Sequence, residues 1–294
     1  MTHVPTSPLP DVVAAIVAAY RRVPEVVAVV IAGSVATDLA DDRADIDLYV
    51  YAAEPIAIPT RAAIAARFAT RSELGNTGRE PGGNDKWVHG QTGRHIDITY
   101  RRPGWIEEQL NRMLVRHEAS VGYSTCVWHN VLHSAPLYDQ NGWYRALQAS
   151  AKCPYPELLK RAIVAKNHPI LRQTLSSYLS QIEQAMHRGD SVSVQHRVTA
   201  VLASYFDILF AVNELPHPGE KRLLPFALTH CAKRPCRMED RVRSLLGVPA
   251  MPTTPAVIAA VRGLLDDLDA LLAAEGLLAP AVLAVRDAGS PPSG

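Results

Sequence analysis

Little in this sequence is aromatic, sulfur-bearing or charged to one side. Phe, Trp and Tyr make up 6% of its 294 residues, so a core must rest on aliphatic side chains. Four cysteines in so long a chain do not make a disulfide framework. Cys231 and Cys236 stand near His230, but Cys126 and Cys153 are far away, which makes a four-ligand zinc site a weak reading. Thirty Lys and Arg against 29 Asp and Glu leave a formal charge of +1, which argues against a protein that coats a polyanion. The longest apolar run is Val12–Tyr20, far short of the ~18 residues a membrane helix needs. Pro10 and Asp11 precede it with no Lys or Arg, so it lacks the basic start of a secretion signal. No repeat of solenoid period is present. What remains is a chain with 48% apolar and 20% charged residues, able to bury a core. We expect a soluble, cytoplasmic protein without membrane association, and two domains at roughly 150 residues each.

The first ten residues hold three prolines and read as loose, and Asp11 can cap a helix running to about Arg22. Glu25–Ile31, bounded by Pro24 and Gly33, reads as a buried strand. A short helix fits Val35–Leu39, a second strand Ile46–Tyr51, and a helix Thr60–Arg71. Leu74–Asn84, with four glycines and a proline, reads as a loop or hairpin connection. Lys86–Gly90 and His95–Tyr100 read as strands joined through Gln91–Arg94, and Pro103 opens a helix toward Arg116. Ser134–Gly142 is turn-rich, and beyond it no segment reads as a strand. Pro156–Ala165, Pro169–Arg188, Ser191–Asn213, Met238–Leu246 and Pro255–Ala274 carry apolar residues at helical spacing. The expected class is α+β: a mixed β-sheet with flanking helices over residues 1–136, an all-α helical bundle over 137–286, and a disordered tail over 287–294.

The chemistry concentrates in Val26–Tyr51. Residues two apart on a strand share a face, so Asp45 and Asp47 project together while Ile46 and Leu48 turn to the core. Two adjacent carboxylates repel each other unless something neutralises them, and a divalent metal does so. All-oxygen ligands suit Mg²⁺ or Mn²⁺. Asp97, between Ile96 and Ile98, repeats the pattern on a later strand. If the two strands are neighbours, three carboxylates line one sheet edge, a set able to hold two metals for in-line phosphoryl or nucleotidyl displacement. Gly33-Ser34 completes the set: glycine lets the backbone approach a phosphate, helix-opening N–H groups bind its oxygens, and Ser34 adds a hydroxyl. An EF-hand does not fit Asp45-Ile46-Asp47, because its fifth and sixth places are Tyr49 and Val50. A glycosyltransferase could use a similar pair but has no need of Gly33-Ser34 before a helix.

Gly33-Ser34, a spacer, Asp45-Ile46-Asp47 and then Asp97 on a later strand resemble the nucleotidyltransferase superfamily that shares the DNA polymerase β palm. The match covers roughly residues 12–120. The helical half is similar to the partner domain of bacterial small-molecule enzymes of the kanamycin and lincosamide type. Ala44 stands where many relatives have Ser before the first Asp. The resemblance implies transfer of a nucleoside monophosphate from an NTP, ATP first, to a hydroxyl, with Mg²⁺ or Mn²⁺. It makes Asp45, Asp47 and Asp97 the catalytic metal ligands and Gly33 and Ser34 the phosphate holders. The implied partners are the NTP and a small-molecule acceptor, an antibiotic among the possibilities. Two alternatives stand beside it: transfer to a tRNA end or a protein, and a non-catalytic nucleotide- or partner-binding module.

Other features are weaker. Lys221, Arg222, Lys233, Arg234 and Arg237 put five basic residues into seventeen, either a solvated helical face or a wall for phosphates. Lys221, just after the Pro218-Gly219 break, is the residue of that run chosen for nucleotide binding. His129 and His133 share a helical spacing but lack the Glu that a zinc-protease pattern requires after the first His. Glu107, Glu108, Glu157 and Glu214 are all formally available as a general base.

Overall fold

In a computed structural model the described residues are 11–33, 45–76, 82–247 and 255–278. They fall into two units: one holds the chain up to Val115 together with Val127–Pro154, the other Arg116–Cys126 and the chain from Tyr155. The division therefore differs from one at Pro136. The class is α+β, with a six-stranded mixed sheet, flanking helices and a helical C-terminal region.

The first unit is built on strands β1 (Val26–Ala32), β2 (Ile46–Ala52), β3 (Ala69–Asn76), β4 (Asn84–His89), β5 (His95–Arg101) and β6 (Ala135–Asp139), in the spatial order β3-β4-β5-β2-β1-β6. Only β2 and β5 run parallel; the other neighbours are antiparallel. Helices α1 (Asp11–Tyr20) and α2 (Ile58–Ala65) cover one face. Their Val13, Ile16 and Ile64 pack in one core with Ile46, Leu48, Val50, Ile96 and Ile98. Helices α3 (Pro103–Leu114), α4 (Cys126–His133) and α5 (Trp143–Ala151) complete the unit. On the other face, Asn130 of α4 donates to the Tyr49 hydroxyl at 2.8 Å, and Trp143 and Tyr144 of α5 pack on the Tyr51 ring.

One buried polar group ties α2 to the sheet. Asp85 is wholly buried, and its carboxylate accepts from the Arg61 guanidinium through both Nε and Nη2. It also accepts from Gly75 N at 2.8 Å and from the Tyr100 hydroxyl at 2.7 Å. The Arg61 guanidinium lies over the Tyr100 ring, and Tyr20 of α1 shares a hydrogen bond with the Tyr100 hydroxyl. Burial pushes both phenols above their ordinary range. Every partner of the charge pair is in place, the condition under which a buried pair can be held.

The second unit contains α6 (Glu157–Arg172), α7 (Tyr178–His187), α8 (Ser191–Val212), α9 (Leu223–His230), α10 (Met238–Leu246) and α11 (Pro255–Ala274). Helix α8 is its axis: every residue from Ser204 to Val212 is buried, so that end is enclosed on all sides rather than on one stripe. Side chains from α6, α7, α10 and α11 complete the core. The segment Arg116–Cys126 is held to this unit by two buried polar residues. Asp207 accepts from Ser124 N at 2.9 Å and from its hydroxyl at 2.7 Å, and Asn167 Oδ1 accepts from Gly122 N at 2.9 Å.

Several elements depart from the expected ones, each for a local reason. The helix expected over Thr60–Arg71 runs Ile58–Ala65, and the chain re-enters the sheet as β3. Strand β3 is a sheet edge with mostly exposed or half-buried side chains, so it carries no apolar alternation to betray it. Strand β6 falls in the stretch read as turns. It too is an edge, pairing with β1 alone through an irregular register, and an edge tolerates Pro136. Pro169 does not open a helix but lies in the last turn of α6. The next helix starts at Tyr178, where the Ser177 hydroxyl accepts from Ser180 N. The short helix expected at Val35–Leu39, Ala44 and the tail over 287–294 lie outside the described residues. Among the described residues no helix is long and apolar enough to cross a membrane.

Candidate active site

Strand alternation builds the site. On β2, Ile46 and Leu48 are fully buried against α1 and α2, which forces Asp47 to the opposite face. On β5, Ile96 and Ile98 do the same for Asp97. The parallel register pairs Asp47 directly with Asp97, on adjacent strands of one sheet. Asp45 immediately precedes β2 and is exposed. The antiparallel register on the other side sets Ala32 of β1 against Asp47.

Gly33 follows Ala32 with φ of +70°, in the left-handed region that glycine enters without a steric penalty. A Cβ at that position would overlap Asp47 Oδ2. The absence of a side chain at residue 33 thus lets the backbone approach the Asp47 carboxylate. Gly33→Ala should cost about 1–2 kcal/mol through the left-handed backbone alone, with a further steric share from Asp47. Urea titration of Gly33→Ala, Asp47→Ala and the double variant checks this. The double variant should recover the steric share, and additive effects would contradict the close approach. Ser34 lies outside the described residues.

Sequence reasoning passed over Lys86. Antiparallel pairing sets it opposite Asp97, and its Nζ lies 3.4 Å from Asp97 Oδ2. The signal was present in the short connection Gln91–Arg94. A hairpin that tight fixes which residue of β4 faces Asp97, once both strands are placed. Further along the same face, Arg101 lies over the rings of Tyr49 and Trp105. Among the described residues, no three His, Cys, Asp or Glu side chains are placed to hold one ion. The carboxylates present are hard oxygen donors, the kind that Mg²⁺ and Mn²⁺ take.

The remaining candidates lie elsewhere. Lys221 is exposed and belongs to the second unit, in the turn before α9. Of its basic neighbours, Lys233 pairs with Glu275 and Arg234 donates to the carbonyls of Leu228 and Cys231, so both serve the packing of that unit. Glu107 accepts from Trp143 Nε1 at 2.7 Å. Glu157 and Glu214 both engage Lys160, and the Lys160 hydrogen bond holds the Glu157 carboxyl below its ordinary range. His129 and His133 stack on each other, and His133 Nδ1 donates to the His129 carbonyl. Cys126 Sγ lies 3.3 Å from His217 Nδ1. Burial pushes that thiol up to about 12 and the imidazole down to about 4, so the pair is neutral at pH 7 and is no thiolate nucleophile.

No family model matches the chain, and no curated protein matches it. Among solved structures it is similar to a nucleotidyltransferase-like protein from Exiguobacterium sibiricum, at 12% identity over 89% of this chain and 73% of that one, with a TM-score of 0.43. At that level the similarity assigns no role to any residue.

Proposed function

We propose that this protein transfers a nucleoside monophosphate from an NTP, ATP first, to a hydroxyl of a small molecule and releases pyrophosphate. The observation that carries the reading is the direct pairing of Asp47 with Asp97, with Gly33 tight against the Asp47 carboxylate. Like charges set opposite each other on adjacent strands cost stability; Lys86 answers Asp97 only through an open ion pair, and a divalent cation held between the two carboxylates would neutralise both. Asp47 and Asp97 would hold Mg²⁺ or Mn²⁺ between them, and Asp45, exposed just before β2, would have to turn toward them to add a third oxygen. When bound, such ions lower the pKa of an attacking hydroxyl and neutralise charge on the triphosphate and the leaving group.

The protein's own residues supply position. The buried isoleucines beside each aspartate fix the direction of both carboxylates, so the ligands are pre-set by the core. The bare backbone at Gly33, with Ser34 after it, is assigned to the phosphates. A binding module that does no metal chemistry gains nothing from the repulsion between Asp47 and Asp97, which favours the enzyme.

The acceptor is assigned to the small-molecule class on charge. A net charge of +1 and a basic run in which Lys233 and Arg234 are already engaged offer little to a polynucleotide. The test is incubation with labelled ATP, Mg²⁺ and cell extract, followed by fractionation, at two salt concentrations. Label should enter small molecules with a shallow salt response. Label in RNA, with affinity falling steeply in salt, would assign the acceptor to the macromolecular class instead. No transfer in any fraction would refute the enzyme.

A further inference from the structure

We propose that Lys86 is a resident counter-ion of Asp97 that a divalent cation displaces, after which its ammonium engages a phosphate oxygen of the nucleotide. This deepens the nucleotidyl-transfer reading and rests on it.

Three observations carry the proposal. First, Lys86 is placed by the fold. Its neighbour Asp85 is wholly buried on the α2 side, held by Arg61, Tyr100 and Gly75 N. With the register of β4 set in that way, alternation presents Lys86 on the face that carries Asp47 and Asp97. Second, the pair is made to be exchanged. Its N–O separation is 3.4 Å, with side-chain exposures of 51% for Lys86 and 33% for Asp97. An ion pair this open contributes little to stability, so giving it up is cheap. The neighbouring charge pair, Arg61 with Asp85, is buried on both sides and is not exchangeable in that sense. Third, Asp97 Oδ2 is the atom Lys86 occupies, and Asp97 is the carboxylate set directly beside Asp47. A cation shared by the two aspartates competes with the ammonium for the charge of that carboxylate. The displaced ammonium sits on a flexible four-carbon stem on the same face, able to follow a phosphate.

The experiment uses the full chain and Mn²⁺ alone as probe, followed by electron paramagnetic resonance. Lys86→Met should bind Mn²⁺ several-fold more tightly than the unaltered protein, because the competitor is gone. Lys86→Arg, which keeps the charge, should stay near the starting affinity. With ATP varied at saturating Mg²⁺, Lys86→Met should raise KM about tenfold or more, with a smaller change in kcat. Circular dichroism establishes that each variant is folded. Mn²⁺ affinity unchanged or weakened in Lys86→Met, while Asp47→Asn still loses it, overturns the role of Lys86 and leaves the metal reading standing. Mn²⁺ binding that is absent from the unaltered protein, or insensitive to Asp47→Asn, overturns both.

Discussion

Asp47→Asn is expected to lower nucleotidyl transfer by about 10²–10⁴-fold while the protein stays folded. The magnitude follows from losing one ligand charge, worth several kcal/mol of charge stabilisation, at about 1.4 kcal/mol per tenfold in rate. Asparagine keeps the volume of the side chain and its place between Ile46 and Leu48, so the core is untouched. It also removes one of two like charges set opposite each other on β2 and β5, so stability without metal should hold or rise slightly. The two readouts are steady-state turnover with Mg²⁺ and the urea midpoint of the metal-free protein. Undiminished Mg²⁺-dependent turnover would remove Asp47 from the chemistry. Lost turnover with a lowered midpoint would mark Asp47 as structural.

The second large effect is on stability and lies on the other face of the sheet. Asp85→Asn leaves the Arg61 side chain, only 6% exposed, without its charge partner. Breaking a buried pair from one side costs about 3–5 kcal/mol, a large share of the 5–15 kcal/mol that usually holds a domain together. Gly75 N and the Tyr100 hydroxyl donate to different oxygens of the carboxylate, so the asparagine amide keeps an acceptor for one of them and turns its NH₂ toward the other, adding a lost hydrogen bond to the electrostatic loss. Chemical denaturation followed by far-ultraviolet circular dichroism should show the drop. Arg61→Met combined with Asp85→Leu should recover part of it, because no unpaired charge is then buried. An Asp85→Asn protein within about 1 kcal/mol of the original would show that water reaches Arg61 and that the pair is not sealed.

The elements legible in the sequence are those whose apolar pattern is enforced by burial. Strands β1, β2 and β5 are packed on a core; β1 is apolar and buried along nearly its whole length, and in β2 and β5 the buried isoleucines and leucine mark which residues turn to the other face. Strands β3 and β6 were not legible. Each is an edge with one neighbour and side chains mostly exposed or half-buried, so local composition resembled a helix end in one case and a turn in the other. The alternation around Asp45, Asp47 and Asp97 follows from the sequence alone, because a strand has a period of two and isoleucine belongs inside. The adjacency of Asp47 and Asp97 does not follow from it. Fifty residues separate them, and only the parallel pairing of β2 with β5 brings them together. The same holds for Lys86, whose meaning depends on a hairpin register, and for Asp85, an ordinary acidic residue until Arg61 arrives from another element. Local pattern determined which way each side chain points. Tertiary pairing decided which charges meet, because a charge takes its chemical role from its neighbours and those are set by contacts between distant segments.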